Sequence, residues 1–171
     1  QDLNETEVRI DIKGNLEFLG QDTKSALVKS GGQLPTGFDP AAQYPSNNHP
    51  RGLQLAIVGA SDALNSMGID WRVVQQTVRP EQIGVYAGSA MGQLDGFGAG
   101  GYLTSPHIGK RTSSKQVPLS LVEMVPDFIN AYLIGNLGYT GAQIGACATT
   151  LYSLSAAVTD IQAGKRRVAI V

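Results

Sequence analysis

The segment that most constrains the fold is Ile144-Gly-Ala-Cys-Ala-Thr-Thr150, a run of small residues between two different apolar patterns. Residues 141–145, which overlap the start of this segment, are small and apolar and are predicted to form a short buried strand. After it, apolar residues recur at spacings of 3, 4 and 3, which is the pattern of one helix face. These residues are Leu151, Leu154, Val158 and Ile161. The chain is therefore predicted to turn sharply from a strand into a helix at Cys147, and Gly164 suits the end of that helix.

Cys147 is the single cysteine of the chain and is placed at the start of the predicted helix. The positive end of a helix dipole and its free N–H groups favour a thiolate over a thiol. The same N–H groups can hold an oxyanion when the sulfur attacks a carbonyl group. The small neighbours Gly145, Ala146 and Ala148 leave room for an acyl group. The alternative is that Cys147 is an apolar filler of the core, and the pattern alone leaves both interpretations open.

Upstream, two helices and a strand are predicted from spacing. Leu53, Ile57, Ala60, Leu64 and Met67 follow one helix face and stop at Gly68. Asp70 is the expected N-cap of a short second helix. The nearly unbroken apolar run from Ile83 to Ser89 predicts a strand that is buried on both faces. A further helix is expected to begin near Pro126 and to bury Phe128, Ile129, Tyr132 and Leu133.

Residues 90–117 are polar and rich in glycine and are predicted to form a mobile loop without regular structure. Within them, Gly96-Phe-Gly-Ala-Gly-Gly101 has the spacing G-x-G-x-x-G. We reject a dinucleotide site because the motif does not directly follow a strand and no clear helix starts at it. His107, Lys110 and Arg111 form either a solvated loop or a patch for an acidic carrier protein. His49 is interpreted as a residue that is solvated or braces its loop, since no metal-ligand spacing surrounds it.

Composition narrows the class of protein. The 171 residues include 42% hydrophobic and 16% charged residues, enough apolar residues for a packed core. The net charge of −1 argues against a nucleic-acid partner. The single cysteine fits a reducing cytosol, and no apolar run is long enough to insert into a membrane. The chain starts without methionine and stops within an apolar run, which predicts a segment of a longer polypeptide.

The sequence resembles the N-terminal half of the β-ketoacyl synthases. Gly145-Ala-Cys-Ala-Thr-Thr150, followed by Ile161-Gln-Ala-Gly164 and Val168-Ala-Ile-Val171, is similar to the family's nucleophile region. The similarity extends to Arg51-Gly-Leu-Gln-Leu55, Ile83-Gly-Val-Tyr-Ala-Gly-Ser89, Val125-Pro-Asp-Phe-Ile-Asn-Ala-Tyr-Leu133 and Gly138-Tyr-Thr-Gly141, in the family's order. It covers residues 34–171 and leaves 1–33 as an N-terminal arm and loops of uncertain role. It implies a thiolase-like α/β fold, with a mixed sheet flanked by helices, that lacks its C-terminal half.

Two departures from the common pattern indicate a branch of the family. Asp127 stands where many members have asparagine, and the connection from Gly141 to Cys147 is shorter than in the common bacterial elongation enzymes. Together with motifs near residues 33–39 and 48–52, these features resemble the ketosynthase domains of large fatty acid synthases and their bacterial relatives. The acyl chain length is left open.

The resemblance implies an acyltransferase of fatty acid biosynthesis, a 3-oxoacyl-[acyl-carrier-protein] synthase. Cys147 would be the nucleophile, with its backbone N–H in the oxyanion hole, and Val125 and Phe128 would border the acyl pocket. The substrates would be phosphopantetheine thioesters of acyl carrier protein, with no metal and no other cofactor. The family also implies a homodimer, with the strand before Cys147 near the interface. A cytoplasmic location is expected from the single cysteine, which fits a reducing cytosol. Two histidines and a lysine of the family's second half assist condensation, and His49 and His107 match neither histidine.

Three other functions remain open from the sequence. A thiolase or a polyketide ketosynthase has the same fold. A non-catalytic partner subunit would only shape an acyl tunnel, although such subunits typically replace the cysteine that this chain retains. An α/β binding module would hold Cys147 as an inert core residue. For Val125 and Phe128, an ordinary role in a helix core is the alternative to the acyl pocket.

Overall fold

The computed structural model describes residues 2–4, 7–8, 13–14, 25, 27–32, 34–135 and 138–171. The chain divides into two compact units, Gln1–Thr36 and Gly37–Val171. In the first unit, strand β1 (Asp2–Asn4) pairs antiparallel with strand β2 (Glu7–Val8). Apolar and charged residues alternate from Glu7 to Lys13, which predicts either a half-exposed strand or an interaction arm. Strand β2 coincides with the start of this segment. Residues 9–12 of the segment lie outside the described part of the chain.

The second unit is built on a three-stranded parallel sheet. Its strands are β3 (Ile83–Tyr86), β4 (Tyr139–Gly141) and β5 (Val168–Ile170), in the order β4–β3–β5. Every residue of the central strand β3 is buried, as its continuous apolar run predicts. The strand ends at Tyr86 rather than at Ser89. All described strands of this unit run parallel, so the mixed sheet that we expected is not seen in this part of the chain.

Six α-helices are described in the second unit, together with short 3-10 turns. They are α1 (Arg51–Ser66), α2 (Trp71–Thr77), α3 (Ala99–Thr104), α4 (Gln116–Ser120), α5 (Met124–Ile129) and α6 (Thr149–Gln162). A π-helical turn, Asn130–Ile134, continues α5. None of the helices in the described part of the chain is long and apolar enough to span a bilayer.

Helices α1 and α2 have the boundaries that the sequence predicts. Gly68 has φ = 76° and ends the α1 region, because a left-handed residue cannot continue the helix. The Asp70 carboxylate accepts a hydrogen bond of 2.9 Å from the Arg72 N–H and so caps α2. The α1 stripe is buried at Leu53, which is fully inaccessible to solvent. These confirmed predictions rest on local signals that the rest of the fold does not override.

The hydrophobic core lies between the sheet and the helices α1 and α5. Ile83 and Val85 of β3 are buried with Leu53 of α1 and with Val125 and Ile129 of α5. Since alternate residues of a strand point to opposite faces, Gly84 and Tyr86 must point to the other side of the sheet. Two layers of helices therefore enclose β3.

The second face of the sheet carries a polar network under α6. The Tyr86 hydroxyl, which is fully buried, donates a hydrogen bond of 2.7 Å to the Asp160 carboxylate of α6. Tyr139 lies beside Tyr86, with ring centroids 5.1 Å apart, and the Arg166 guanidinium sits 5.0 Å from the Tyr139 ring centroid. Burial, and then the hydrogen bond to Asp160, raises the pKa of Tyr86 to about 12. The hydrogen bond from Tyr86, and then Lys165 at 3.3 Å, lowers the pKa of Asp160 against the opposing effect of desolvation.

We expect the free energy of unfolding to depend on Tyr86 at alkaline pH. An unfolded tyrosine ionises near pH 10, whereas folded Tyr86 keeps its proton up to about pH 12. Its contribution is therefore complete below about pH 10 and is lost as the pH rises through about 12. Urea unfolding at a series of pH values should show this loss in the wild-type protein and a smaller one in Tyr86→Phe.

The matched control for this experiment is Tyr44→Phe. It also removes a side-chain hydrogen bond, from the Tyr44 hydroxyl to Ser61 at 2.6 Å, but it lies away from Asp160. It should keep the wild-type dependence on pH. An identical alkaline dependence in the wild type and in Tyr86→Phe would contradict the role of the buried hydroxyl.

Residues 90–117 are more ordered than the sequence predicts. They contain the helix α3 and the start of α4, so the prediction of a loop without regular structure is wrong. The expectation that no helix starts at the G-x-G-x-x-G motif is wrong as well, because α3 begins at Ala99 within it. The motif still does not directly follow a strand, since β3 ends at Tyr86.

The glycines of the G-x-G-x-x-G segment allow close packing: a Cβ on Gly98, Gly100 or Gly101 would strike a backbone oxygen of residues 93–96. Asp95 fixes the segment to the start of α1, since its carboxylate accepts a 2.6 Å hydrogen bond from the Arg51 N–H. These contacts give the glycines a packing role.

Candidate active site

The chain turns sharply at Cys147, as the sequence predicts. The strand before the turn is β4, which ends at Gly141, so the prediction of a strand over 141–145 is wrong in its position. The ladder stops there because β3 ends at Tyr86, and a last hydrogen bond of 3.1 Å runs from the Ala87 N–H to the Gly141 carbonyl. Residues 142–145 then run without regular structure into a 3-10 turn, Ala146–Ala148, that leads directly into α6.

Ala146 gives the turn its unusual geometry. Its φ is 47°, which lies in the left-handed region that residues with a side chain rarely adopt. Among the described residues, no other non-glycine residue has a positive φ. Such a conformation costs of order 1–3 kcal/mol and persists only where surrounding contacts hold it. The Ala148 N–H donates a 2.8 Å hydrogen bond to the Gly145 carbonyl and closes the turn. The turn presents Cys147, whose side chain is exposed.

The turn packs against the loop that follows β3. A Cβ on Gly88 would strike the Gln143 carbonyl oxygen, so only glycine fits between the two segments. A cavity of about 160 Å³ opens here, where β3 and β5 end and α6 begins. It is lined by Tyr86, Ala87, Gly88, Thr149, Thr150, Ser153 and Val171. Cys147 therefore lies at the carboxyl-terminal edge of a parallel sheet, the edge at which α/β proteins bind their ligands.

Helix α6 buries a different face from the one that the apolar spacing suggests. Thr149, Ser153 and Ala157 face the sheet and are buried. The apolar stripe points outward: Leu151 is 68% exposed, and Leu154, Val158 and Ile161 are also exposed. Because the rings of Tyr86 and Tyr139 cover the sheet, only small side chains allow α6 to approach it. The predicted helix is confirmed, but no other part of the described chain covers its apolar face.

Comparison with known proteins identifies the family. The model of the family described as "Beta-ketoacyl synthase, N-terminal domain" matches residues 18–171. The chain belongs to the β-ketoacyl synthase family. It is 48% identical over 165 residues to the beta-ketoacyl-[acyl-carrier-protein] synthase FabY of Pseudomonas aeruginosa, covering 96% of this chain and 26% of that protein. It is also 28% identical over 146 residues to the fatty acid synthase alpha subunit stcJ of Emericella nidulans, covering 82% of this chain and 9% of that subunit.

A solved structure supports the fold. The crystal structure of the noncanonical ketosynthase FabY from Pseudomonas aeruginosa matches with a TM-score of 0.77 and 50% identity. The match covers 81% of this chain and 22% of that one, so this chain corresponds to about a quarter of its bacterial relative. The predicted thiolase-like fold of an N-terminal ketosynthase half is thereby confirmed, as is the likeness to ketosynthase domains of large fatty acid synthases.

Val125 and Phe128 of this ketosynthase domain lie in α5. Val125 is buried in the core shared with α1 and the sheet. Phe128 is half-buried and packs its ring edge-on against His49, with centroids 4.9 Å apart. No described contact joins either residue to Cys147. Both fit the helix-core alternative that the sequence left open, and their role in an acyl pocket stays a prediction.

The two histidines have different surroundings. His49 Nε2 lies 2.8 Å from the Tyr132 hydroxyl, and the ring packs against Phe128, which confirms that this residue braces its loop. His107 is exposed in a 3-10 turn, and Lys110 and Arg111 lie nearby in sequence. Lys110 and Arg111 join Lys115 around a cavity of about 490 Å³. Sequence reasoning missed Lys115 because it follows the serines of a loop, with no spacing that ties it to the other two.

Proposed function

We propose that the protein is a β-ketoacyl-[acyl-carrier-protein] synthase in which Cys147 carries the acyl chain. The main support for this proposal is the exposed Cys147 thiol, which lies in a strained turn at the start of α6. In that position the free N–H groups and the helix dipole act on the sulfur and on any oxyanion beside it. The 48% identity to a protein named for this activity supports the same chemistry.

In the first half-reaction, the Cys147 thiolate attacks the carbonyl carbon of an acyl-carrier thioester. A carbon–sulfur bond to Cys147 forms, and the negative charge on the carbonyl oxygen is held by the Cys147 N–H. The intermediate collapses by breaking its bond to the carrier's phosphopantetheine sulfur. That sulfur leaves as a thiolate and takes up the proton that Cys147 lost.

In the second half-reaction, malonyl carrier protein loses carbon dioxide, and the resulting carbanion attacks the acyl carbon on Cys147. The bond from that carbon to the Cys147 sulfur breaks, which restores the thiolate and releases a 3-ketoacyl carrier thioester. Family resemblance assigns decarboxylation to two histidines and a lysine outside this chain. His49 contacts Tyr132 and Phe128, which supports a structural role for this histidine and not a catalytic one.

The same proposal includes the partners. An acidic carrier protein would approach the exposed cations Lys110, Arg111 and Lys115, because opposite charge speeds encounter. We propose further that the enzyme is a cytoplasmic homodimer that needs no metal. The exposed apolar stripe of α6 supports the view that another protein surface covers it.

The test is the intact mass of the full-length protein after incubation with acyl-carrier thioesters of different chain lengths. We expect the mass to increase by one acyl group in the wild type and to stay unchanged in Cys147→Ala. Addition of malonyl carrier protein should then remove the adduct and yield a 3-ketoacyl carrier thioester.

Three outcomes would contradict parts of the proposal. Folded wild-type protein that forms no adduct would favour a non-catalytic partner subunit. An adduct that persists in Cys147→Ala would place the nucleophile elsewhere. An acyl enzyme that condenses only with a second acyl-CoA, without decarboxylation, would indicate a thiolase.

A further inference from the structure

We propose that Thr149 is a positioning residue that directs the Cys147 N–H at the oxyanion. This inference rests on the function proposed above, since it concerns the acylation of Cys147. Thr149 is the first residue of α6 and is buried, with 8% of its surface exposed. Its side chain does not reach the sulfur by any described hydrogen bond. It acts on the two residues that precede Cys147.

The Thr149 hydroxyl makes two hydrogen bonds to the backbone of the turn. It donates to the Ala146 carbonyl oxygen at 2.7 Å and accepts from the Gly145 N–H at 3.2 Å. The first bond is to the peptide group that joins Ala146, the residue whose φ is 47°, to Cys147, and the second is to the peptide group that joins Ile144 to Gly145. The single hydroxyl therefore ties the Ala146–Cys147 peptide to the segment that enters the turn. A side chain that only capped the helix would accept hydrogen bonds from N–H groups further along α6.

The bond to Ala146 determines where the Cys147 N–H points. The Ala146 carbonyl and the Cys147 N–H belong to one peptide group, which is planar and trans. In such a group the N–H points opposite to the C=O, so fixing one direction fixes the other. A hydrogen bond on the carbonyl also polarises the N–H of the same group, because linked hydrogen bonds strengthen one another. The hydroxyl of Thr149 thus orients and strengthens the proposed oxyanion donor without touching the substrate.

The N–H of Cys147 is available for this role. It lies in the first turn of the helical segment, where backbone N–H groups have no acceptor within the helix. The left-handed conformation of Ala146 is costly, and without Thr149 the peptide would be free to rotate toward an ordinary conformation. Rotation of this peptide swings the N–H away from the acyl oxygen and leaves the cysteine side chain in place. The resulting loss should appear in reactions that develop an oxyanion.

The test compares two reactions of Cys147 in the full-length protein. One is acylation by an acyl-carrier thioester, which passes through an oxyanion, followed by intact mass at several thioester concentrations. The other is alkylation by iodoacetamide, which displaces iodide at a saturated carbon and forms no oxyanion. Thr149→Val keeps the shape of the side chain and removes the hydroxyl, and Thr149→Ser keeps the hydroxyl.

We expect Thr149→Val to lower the maximal acylation rate about 10- to 100-fold, less than the loss of a whole oxyanion donor. The thioester concentration at half-maximal rate and the alkylation rate should change little. Thr149→Ser should restore acylation. Thr159→Val is the matched control, because Thr159 lies on the same helix and donates a 2.8 Å hydrogen bond to a backbone carbonyl, that of Ser155. It should leave both reactions at the wild-type rate.

The possible failures are distinguishable. If wild-type protein takes no acyl group, the proposed function fails, and the role of Thr149 fails with it. If the wild type is acylated and Thr149→Val is acylated equally fast, only the positioning role is overturned. Equal losses of acylation and alkylation would also overturn it, since they would reflect a collapsed turn. If Thr149→Val does not fold, Thr149→Ala removes the same hydroxyl without adding bulk and should show the same split.

Discussion

Replacing Ala146 with valine is expected to lower the rate of Cys147 acylation about 100-fold, the loss that a misplacement of about 1 Å can cause. The reason lies in the backbone, since the side chain of Ala146 is exposed. At φ = 47° a β-branched residue is a genuine outlier, so the valine variant should relax to negative φ. That relaxation rotates the peptide that carries the Cys147 N–H and moves this N–H away from the acyl oxygen.

Ala146→Gly is the matched variant for this prediction. Glycine adopts the left-handed region at no steric cost, so the turn should keep its geometry and the acylation rate should stay near that of the wild type. The measurement is the time course of the acyl adduct by intact mass, with both variants at one thioester concentration. A valine variant that is acylated as fast as the glycine variant would show that the conformation of Ala146 does not matter to the reaction.

Local sequence signals predicted the elements whose neighbours leave them undisturbed. The spacing of α1, the glycine at residue 68 and the Asp70 cap together predicted α1 and α2 almost to their ends. Helix α3 was missed because two of its residues, Gly100 and Gly101, disfavour a helix. It forms because those glycines pack against the carbonyls of Leu94 and Gly96, contacts that no local pattern reveals.

The candidate site was predicted in part. Its position at the start of α6 followed from the change of apolar period at Cys147. The conformation of Ala146 did not, because glycine and asparagine are the residues that normally indicate positive φ. The sequence also did not reveal which face of α6 is buried, since that depends on the rings of Tyr86 and Tyr139 across the sheet. The hydrogen bonds of Thr149 could not be predicted either, because the partners of a threonine two residues after a cysteine depend on the folded turn.

Replacing Gly138 with alanine is expected to lower the free energy of unfolding by about 2–3 kcal/mol. Gly138 immediately precedes β4 and lies against the turn before β3. A Cβ there would strike two backbone oxygens, those of Pro80 and Ile83, and neither can rotate away as a flexible side chain could. The φ of Gly138 is not positive, so the cost comes from this collision and not from the backbone conformation. Relief requires β4 to move away from β3, the strand at the centre of the sheet.

Gly59→Ala is the control, because Gly59 lies within α1 and nothing approaches its Cβ position within 4 Å. Alanine there should raise the free energy of unfolding by about 0.5–1 kcal/mol, since glycine is a poor helix former. Urea unfolding of the two variants should therefore shift in opposite directions. Hydrogen exchange of peptides covering β3 should quicken in Gly138→Ala alone, which would locate the damage at the pairing of β3 with β4. Unchanged exchange there would mean that β4 approaches β3 less closely than the structure has it.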